Sequence, residues 1–218
     1  MAIRPLGLAL KLFSACLEQN QQKEAVTQAA SYKDSELLAL KQKEGAVVVI
    51  LGTRGTGKTE LAYRLAEFIN KPIFAISPEQ APPPFIKRIA LEELDTVPPR
   101  STVIADDLPV YASNRDYNDK LIRMLEKLIP MVRHERKIHL IFCSQSAAQA
   151  DKYILDCDMA FFKPRGLLTA DAERPNIYRI YRNWVDPVFE GKSDYWIVTH
   201  AFMLSRRFKG VIEVKKTT

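Results

Sequence analysis

Short apolar runs alternate with helix-like segments along most of this chain. They lie at residues 46–51, 73–76, 102–105, 138–143 and 158–163, and the first of them is rich in β-branched residues. An unbroken apolar run of this length is typical of a strand that is buried on both faces. Between the runs, apolar residues recur at helical spacing, most extensively over residues 118–136. Strands that alternate with helices predict an α/β fold, with a mostly parallel central sheet and helices on both faces.

The pattern divides the chain into two parts. Residues 1–44 predict an N-terminal helical extension, whose last helix, Glu36–Lys43, begins after Asp34 or Ser35 as its N-cap. Residues 45–218 contain all the predicted strands and form the second domain.

Four further segments belong to the second domain. Phe85–Leu94 has helical spacing, and another helix is predicted around Asn176–Trp184. Near the C-terminus, Tyr195–Leu204 and Phe208–Lys215 predict two strands that pair as a β-hairpin.

A glycine-rich segment follows the first predicted strand directly. Residues 52–59 read GTRGTGKT, which fits the phosphate-binding P-loop. The glycines let the backbone turn so that successive N–H groups point at one anion, and the following helix adds the positive end of its dipole. The candidate nucleotide-binding residues are Gly52, Thr53, Arg54, Gly55, Thr56, Gly57, Lys58, Thr59 and Glu60. A glycine turn that binds nothing is the alternative, but the flanking strand and helical pattern favour nucleotide binding.

Three side chains are candidates for work on the phosphates and the metal. Lys58 can reach the β- and γ-phosphates of ATP, and the Thr59 hydroxyl can take a place on Mg²⁺. Asp106 ends the apolar run at 102–105, as a Walker B aspartate does, and a carboxylate there holds Mg²⁺, usually through water. The alternative for Asp106 is a solvent-exposed cap at the end of a strand.

Asp107 and Gln145 complete the candidate hydrolytic site. Asp107 is placed to orient or deprotonate an attacking water, or else supports the site without touching that water. Gln145 follows the fourth apolar run, and its amide can donate to the γ-phosphate while accepting from water. A polar strand end without such a contact is the alternative. Because the carboxyl ends of parallel strands share one edge, these residues and the P-loop are expected to converge.

Arginines near the start of the fourth strand are candidates for catalysis in a neighbouring subunit. Arg133 and Arg136 lie at the opposite end of that strand from Gln145, so they cannot easily serve their own nucleotide. In a ring, an arginine can enter the adjacent site as a finger, and Arg115 is a further candidate. A solvated charge run is the alternative for each of them.

Composition indicates a soluble globular protein with a mildly basic surface. The net charge of +6 favours a polyanionic partner without identifying one. Cys16, Cys143 and Cys157 have no metal-ligand spacing and suit reduced, intracellular thiols. No apolar stretch reaches the length of a membrane span. The run at residues 5–16 is interrupted by Lys11, which favours an amphipathic helix over a signal segment.

These motifs resemble those of a known group of ATPases. The GTRGTGKT motif, Asp106–Asp107 and the segment RHERKIHLIFCSQS are similar to the HerA–FtsK superfamily of DNA-pumping ATPases. The short chain, Gln145 and the Lys163-Pro164 turn with Leu167-Leu168 after it resemble the genome-packaging ATPases of membrane-containing icosahedral viruses with double-jelly-roll capsids. The resemblance covers residues 45–216. It departs at Asp107, where such motors often carry Glu.

The resemblance implies a function and a set of partners. It implies a RecA-like P-loop fold, ATP and Mg²⁺ as cofactors, and a ring, often a hexamer, that pumps double-stranded DNA into a preformed capsid. It also implies capsid or portal-vertex proteins as partners, and a location in the host cytoplasm or at the virion vertex. Candidate DNA contacts are Lys87, Arg88, Arg115, Arg206 and Arg207.

Three other interpretations remain open from the sequence. One is a different DNA motor, such as a conjugation-type pump. Another is a small P-loop kinase, which is disfavoured because no clear lid segment follows the fourth strand. The third is an assembly factor that binds ATP without hydrolysing it, and it applies if Asp107 is inert.

Overall fold

The computed structural model of the chain describes residues 33–76, 81–106, 132, 136–145, 157–166 and 175–214. Within these ranges, the elements build one eight-stranded sheet with helices on both faces. The predicted α/β fold with a mostly parallel sheet is therefore confirmed. Most of the predicted helix at 118–136 and residues 1–32 of the predicted extension lie outside the described residues.

The sheet is parallel over six of its eight strands. Its order is β3-β2-β4-β5-β1-β6-β7-β8, and β7 and β8 run antiparallel to their neighbours as a hairpin. The strands are β1 (Ala46–Leu51), β2 (Ile73–Ile76), β3 (Ile86–Ile89), β4 (Thr102–Asp106), β5 (His139–Ser144), β6 (Met159–Phe162), β7 (His200–Ser205) and β8 (Lys209–Glu213).

Five α-helices accompany the described part of the sheet. They are α1 (residues 33–42), α2 (Lys58–Ile69), α3 (Pro175–Ile180), α4 (Asp186–Phe189) and α5 (Asp194–Thr199). A 3₁₀ helix, Leu91–Thr96, connects β3 to β4, and a π-helical turn, Tyr181–Val185, joins α3 to α4.

Strand β1 shows why the sheet is covered on both faces. Val47 and Val49 belong to the core beneath α3 and α4, whereas Val48 and Ile50 belong to the core beneath α2. Every residue of β1, β2, β5 and β6 is buried. Burial on both faces explains why the sequence shows unbroken apolar runs instead of an apolar–polar alternation.

Helix α1 is held to the sheet by a buried histidine. Leu40 is buried in the core beneath α2, and its carbonyl oxygen lies 2.9 Å from Nε2 of His139. Nδ1 of His139 lies 3.1 Å from Nζ of Lys71. Since an ammonium only donates, Nδ1 accepts and Nε2 carries the proton, so the ring is neutral. Burial lowers the pKa of His139 below its ordinary 6.5.

The prediction of a helix at Phe85–Leu94 is wrong. Ile86–Ile89 form the edge strand β3, and only the 3₁₀ helix Leu91–Thr96 follows it. Ile86 and Ile89 are buried while Lys87 and Arg88 are exposed. This three-residue spacing of apolar positions also occurs on a helix face, so the period alone could not separate the two structures.

Two element boundaries also differ from the prediction. The hairpin is confirmed as β7 and β8, but Asp194–Thr199 is a helix instead of the first half of a strand. Ser193 caps this helix by accepting a 3.3 Å hydrogen bond from the Trp196 N–H. In α1, residue 33 is already helical, so an N-cap at Asp34 or Ser35 is wrong.

No helix in the described ranges is both long and apolar enough to cross a lipid bilayer.

Candidate functional site

The loop between β1 and α2 has the shape of a phosphate-binding loop. Gly57 is the residue before α2 and has φ 84°, a left-handed conformation that glycine adopts without a steric penalty. The chain can therefore turn abruptly from the loop into the helix. The first N–H groups of α2 have no partner within the helix, and together with the helix dipole they favour an anion in front of them.

Gly52, the first glycine of the loop, is required by a close approach of two chains. A Cβ atom at Gly52 would overlap the Cβ of Lys163, which follows β6. Backbone hydrogen bonds fix the two segments side by side: the Lys163 N–H donates to Leu51 O at 2.7 Å, and the Thr53 N–H donates to Pro164 O at 2.8 Å. The start of the P-loop is thus paired with the Lys163-Pro164 turn.

The main-chain carbonyl of Thr53 accepts hydrogen bonds from two other residues of the loop. Its carbonyl oxygen accepts hydrogen bonds from Thr56 Oγ1 at 2.7 Å and from Nζ of Lys58 at 3.2 Å. Lys58 is buried, with 5% of its surface exposed, so its charge is held inside the loop. Arg54 and Gly55 form the exposed tip of the loop. In α2, the Glu60 carboxylate accepts a 2.8 Å hydrogen bond from Arg64, which lies one turn further along the helix.

Asp106 contacts the P-loop threonine. Thr59 Oγ1 donates a 2.6 Å hydrogen bond to Asp106 Oδ2 at the end of β4. Oδ1 of Asp106 is shielded from solvent. The negative charge of this carboxylate also reaches Tyr63 on α2: burial raises the pKa of Tyr63 to about 12, and the charge of Asp106 adds to that effect. The two predicted metal ligands, Thr59 and Asp106, therefore lie together.

Gln145 lies at the same edge of the sheet. Ser144 ends β5 and pairs with Leu51, and its carbonyl oxygen accepts a 3.2 Å hydrogen bond from the Gly52 N–H. Gln145 follows Ser144 immediately, so it begins beside the start of the P-loop. The predicted convergence of the P-loop, Asp106 and Gln145 at the carboxyl edge of the sheet agrees with the described placement.

Arg136 lies at the opposite edge, as predicted, and is engaged within its own chain. Its guanidinium donates to the Asp95 carbonyl oxygen at 2.5 Å and to the Val97 carbonyl oxygen at 3.5 Å. The Asp95 carboxylate lies 3.7 Å away. These contacts brace the end of the 3₁₀ helix, and they would have to break before Arg136 could enter another subunit's site.

Several predicted site residues lie outside the described residues. They are the candidate base Asp107, the candidate finger Arg133 and the further candidate Arg115. Nothing in the described part of the chain places them.

The candidate DNA contacts lie on two separate surfaces. Lys87 and Arg88 are exposed on the edge strand β3, with Nζ of Lys87 5.9 Å from the centre of the Phe74 ring. Arg206 and Arg207 are exposed in the turn between β7 and β8. Since the end of β7 pairs with the start of β6, this turn is at the edge of the sheet opposite the P-loop.

Lys163 contributes to the site in a way that the sequence does not predict. The sequence marks Lys163 only as part of a turn, yet it is fully buried and packs against Gly52. A lysine directly after an apolar strand is usually solvated, so neither its type nor its position signalled burial.

Comparisons with known proteins give a fold and no sequence family. No protein-family model matches the chain, and no curated protein does. Among solved structures, B204, the DNA-packaging ATPase from Sulfolobus Turreted Icosahedral Virus, is similar with a TM-score of 0.51 and 10% identity. That alignment covers 78% of this chain and 98% of B204.

Two further structures are less similar. B204 from Sulfolobus turreted icosahedral virus 2, in complex with AMPPCP, has a TM-score of 0.49 at 10% identity and covers 80% of this chain and all of that one. The RadB recombinase has a TM-score of 0.41 at 14% identity, over 56% of this chain and 76% of RadB. At this identity, the likeness to the first B204 concerns the fold. The predicted α/β P-loop fold is confirmed, and the chain shares that fold with B204, a DNA-packaging ATPase.

Proposed function

We propose that this chain is an ATPase that translocates double-stranded DNA, and that it packages a viral genome into a preformed capsid. The ATPase part rests on the 2.6 Å hydrogen bond between Thr59 and Asp106. It joins the hydroxyl of the phosphate-binding loop to a carboxylate at the end of β4, and a P-loop ATPase uses these two groups at its metal.

The P-loop binds the triphosphate through main-chain and lysine donors. N–H groups of the loop and of the first turn of α2 hold the phosphate oxygens. When ATP binds, Lys58 gives up its hydrogen bond to the Thr53 carbonyl and donates to the β- and γ-phosphates instead. The phosphates are stronger acceptors because they are charged.

Thr59 and Asp106 fit a magnesium ion. Both offer oxygen atoms, and Mg²⁺ in nucleotide sites is held by one or two protein groups together with phosphates and waters. When bound, the ion neutralises charge on the β- and γ-phosphates.

Asp107 and Gln145 are assigned to the attacking water. Asp107 follows Asp106 directly, and in this proposal it accepts the proton that the water loses. Gln145 donates its N–H to the γ-phosphate and accepts from the water through its carbonyl oxygen. The water oxygen bonds to the γ-phosphorus while the bond to the bridging oxygen breaks, which yields ADP and phosphate. Arg133 or Arg136 of an adjacent subunit would complete the charge stabilisation.

The DNA part of the proposal is supported by fold and charge. The fold is that of B204, a DNA-packaging ATPase, and the net charge of +6 suits a polyanion. A ring of subunits, capsid or portal-vertex partners, and a location in the host cytoplasm or at the virion vertex follow from the same proposal.

The test is ATP turnover by the full chain in Mg²⁺, with and without duplex DNA, combined with a light-scattering measurement of mass. We expect duplex DNA to raise turnover and the active species to be a ring. Lys58→Ala abolishes turnover, whereas Lys41→Ala, on the outer helix α1, retains it.

Each alternative function gives a different result. Turnover that ignores DNA overturns the translocase and leaves an ATPase. Phosphate transfer to a small acceptor, seen in the products, indicates a kinase instead. ATP binding without turnover indicates a nucleotide-gated assembly factor. Normal turnover in Lys58→Ala overturns the whole assignment.

A further inference from the structure

Lys163 is a buried cation beside the P-loop to which the proposed mechanism gives no role. It follows β6 and has none of its surface exposed. Its Nζ donates hydrogen bonds to three carbonyl oxygens: Ile197 at 2.9 Å, Val198 at 2.9 Å and His200 at 2.6 Å. Three acceptors match the three N–H bonds of a charged ammonium.

These carbonyl groups belong to the end of α5 and the first residue of β7. Carbonyl groups at the end of a helix lack donors within the helix and carry the negative end of its dipole, so a cation is favoured there. An apolar side chain could fill the same volume, but it would leave these carbonyl groups without the Lys163 donor.

Both sides of this contact touch the P-loop. On one side, the Cβ of Lys163 packs against Gly52. On the other side, α5 lies against the last glycine of the loop, because a Cβ at Gly57 would come within 3.0 Å of the Val198 carbonyl oxygen. Lys163 therefore bridges the first glycine of the loop to the helix that contacts the last one.

We propose that Lys163 is a positioning residue for the nucleotide site: its ammonium clamps α5 against the P-loop and so fixes the loop geometry in which the main-chain N–H groups meet the triphosphate. This inference rests on the proposed nucleotide binding. It assigns Lys163 no contact with ATP. Its effect reaches the phosphates only through Gly52, Gly57 and α5.

The clamp has a charge state that responds to pH. Burial lowers the pKa of Lys163 from 10.5 to about 8. The ionisable side chains of the surrounding segments are Arg54, Lys58, Arg165, Asp194, Tyr195 and His200, and burial, not their charge, causes the shift. A neutral amine donates two hydrogen bonds instead of three, so the clamp loosens as the pH rises through about 8.

The first test compares Lys163→Met with Lys43→Met. Lys43 is an exposed lysine that pairs with Asp158 at the other edge of the sheet, so its removal controls for the loss of one charge. ATP affinity is measured by fluorescence titration with a labelled ATP, at a temperature at which circular dichroism shows each variant folded. We expect a displaced loop to lose about one hydrogen bond to the charged triphosphate. Lys163→Met should therefore weaken ATP binding about tenfold. Lys43→Met should bind as the wild type does. Wild-type affinity in a folded but less stable Lys163→Met overturns the proposal.

The second test uses the wild-type chain, so that it does not depend on a variant folding. Between about pH 7 and pH 9, ATP affinity should fall as Lys163 loses its proton. Over the same range, the free energy of unfolding should rise, because the buried charge is removed. An affinity that falls while the free energy of unfolding rises indicates positioning. A merely structural role for Lys163 would leave ATP affinity unchanged. A pH-independent affinity overturns the clamp, whereas a wild type that binds no ATP at any pH overturns the proposed function itself.

Discussion

The glycines of the P-loop differ in what makes each of them necessary. At Gly52, a side chain would overlap Lys163. Gly55 has φ 78° at the exposed tip, with no atom within 4 Å of a Cβ placed there. The first position is restricted by its neighbours and the second only by its backbone conformation. A substitution at each should therefore carry a different free-energy cost.

We expect Gly52→Ala to lower the free energy of unfolding by about 3 kcal/mol, and Gly55→Ala by about 1 kcal/mol. The larger loss arises because the β6–turn backbone must move away from β1, whereas Gly55→Ala introduces only left-handed backbone strain. Urea denaturation with a common m-value measures both. Equal losses for the two variants would show that the close contact between Gly52 and Lys163 adds nothing to the cost of a side chain at position 52.

The sequence predicted which residues meet at the site better than it predicted how they are held there. Asp106 and Gln145 could be placed because each follows an apolar run, and the carboxyl ends of parallel strands share one edge. Lys163 could not be recognised, because its three partners are main-chain carbonyl groups at the end of α5 and the start of β7, about 35 residues later. Every residue has a main-chain carbonyl group, so the residue types do not reveal which of these groups will accept a hydrogen bond from Lys163.

At the scale of elements, burial decided which parts of the fold were predictable. Strands β1, β2, β5 and β6 are covered on both faces, so their composition alone identified them. The edge strand β3 is half exposed and only four residues long, and its apolar spacing matched a helix. In α5, the run Trp196–Thr199 favours a strand by propensity, but Ser193 caps a helix and the packing against the P-loop decides the outcome.

The docking of α1 on the sheet should depend on pH through His139. Burial holds the pKa of His139 below 6.5, so the unfolded chain binds more protons than the folded chain as the pH falls below 6.5. The stability that the neutral ring contributes is therefore present above that pH and is lost as the pH falls towards the folded pKa. We expect the free energy of unfolding to decrease from pH 7 to pH 5 more in the wild type than in His139→Gln.

Chemical denaturation at several pH values measures this difference. His200→Gln is the matched control, since it removes another histidine and leaves the contact between His139 and Leu40 in place. The same pH dependence in the wild type and in His139→Gln would contradict a buried, neutral ring that anchors α1.

At the scale of the whole molecule, the sheet separates the candidate nucleotide site from a basic edge. The P-loop, Asp106 and Gln145 share the carboxyl edge. The opposite edge carries basic residues at the starts of successive strands and in the hairpin turn, namely Lys43, Lys71, Arg100, Arg136, Lys137, Arg206 and Arg207. Three acidic residues there are paired: Asp158 with Lys43 and Glu44 with Lys137, both at 2.6 Å, and Asp95 with Arg136 at 3.7 Å. The paired acids leave an excess of positive charge along this edge.

This arrangement predicts which candidate DNA contacts matter. Arg206 and Arg207 are exposed at the basic edge and line one cavity with Lys43, Glu36 and Asp158. The excess of cations along this edge adds to their attraction for a phosphate backbone. Lys87 and Arg88 are exposed on β3, but Glu92 and Glu93 follow closely and offset their charge. We therefore expect Arg206→Ala with Arg207→Ala to reduce DNA binding strongly, and Lys87→Ala with Arg88→Ala to reduce it little.

The measurement is duplex affinity at several salt concentrations, for two double variants that each remove two positive charges. If both arginines of the hairpin turn contact phosphates, their removal should lower the slope of log affinity against log salt by about 2, because each phosphate contact releases about one counterion. ATP turnover without DNA should be unchanged, since the hairpin turn lies at the opposite edge from the P-loop. If the β3 variant shows the larger loss instead, DNA runs along the edge strand, and the positive edge of the sheet serves another partner.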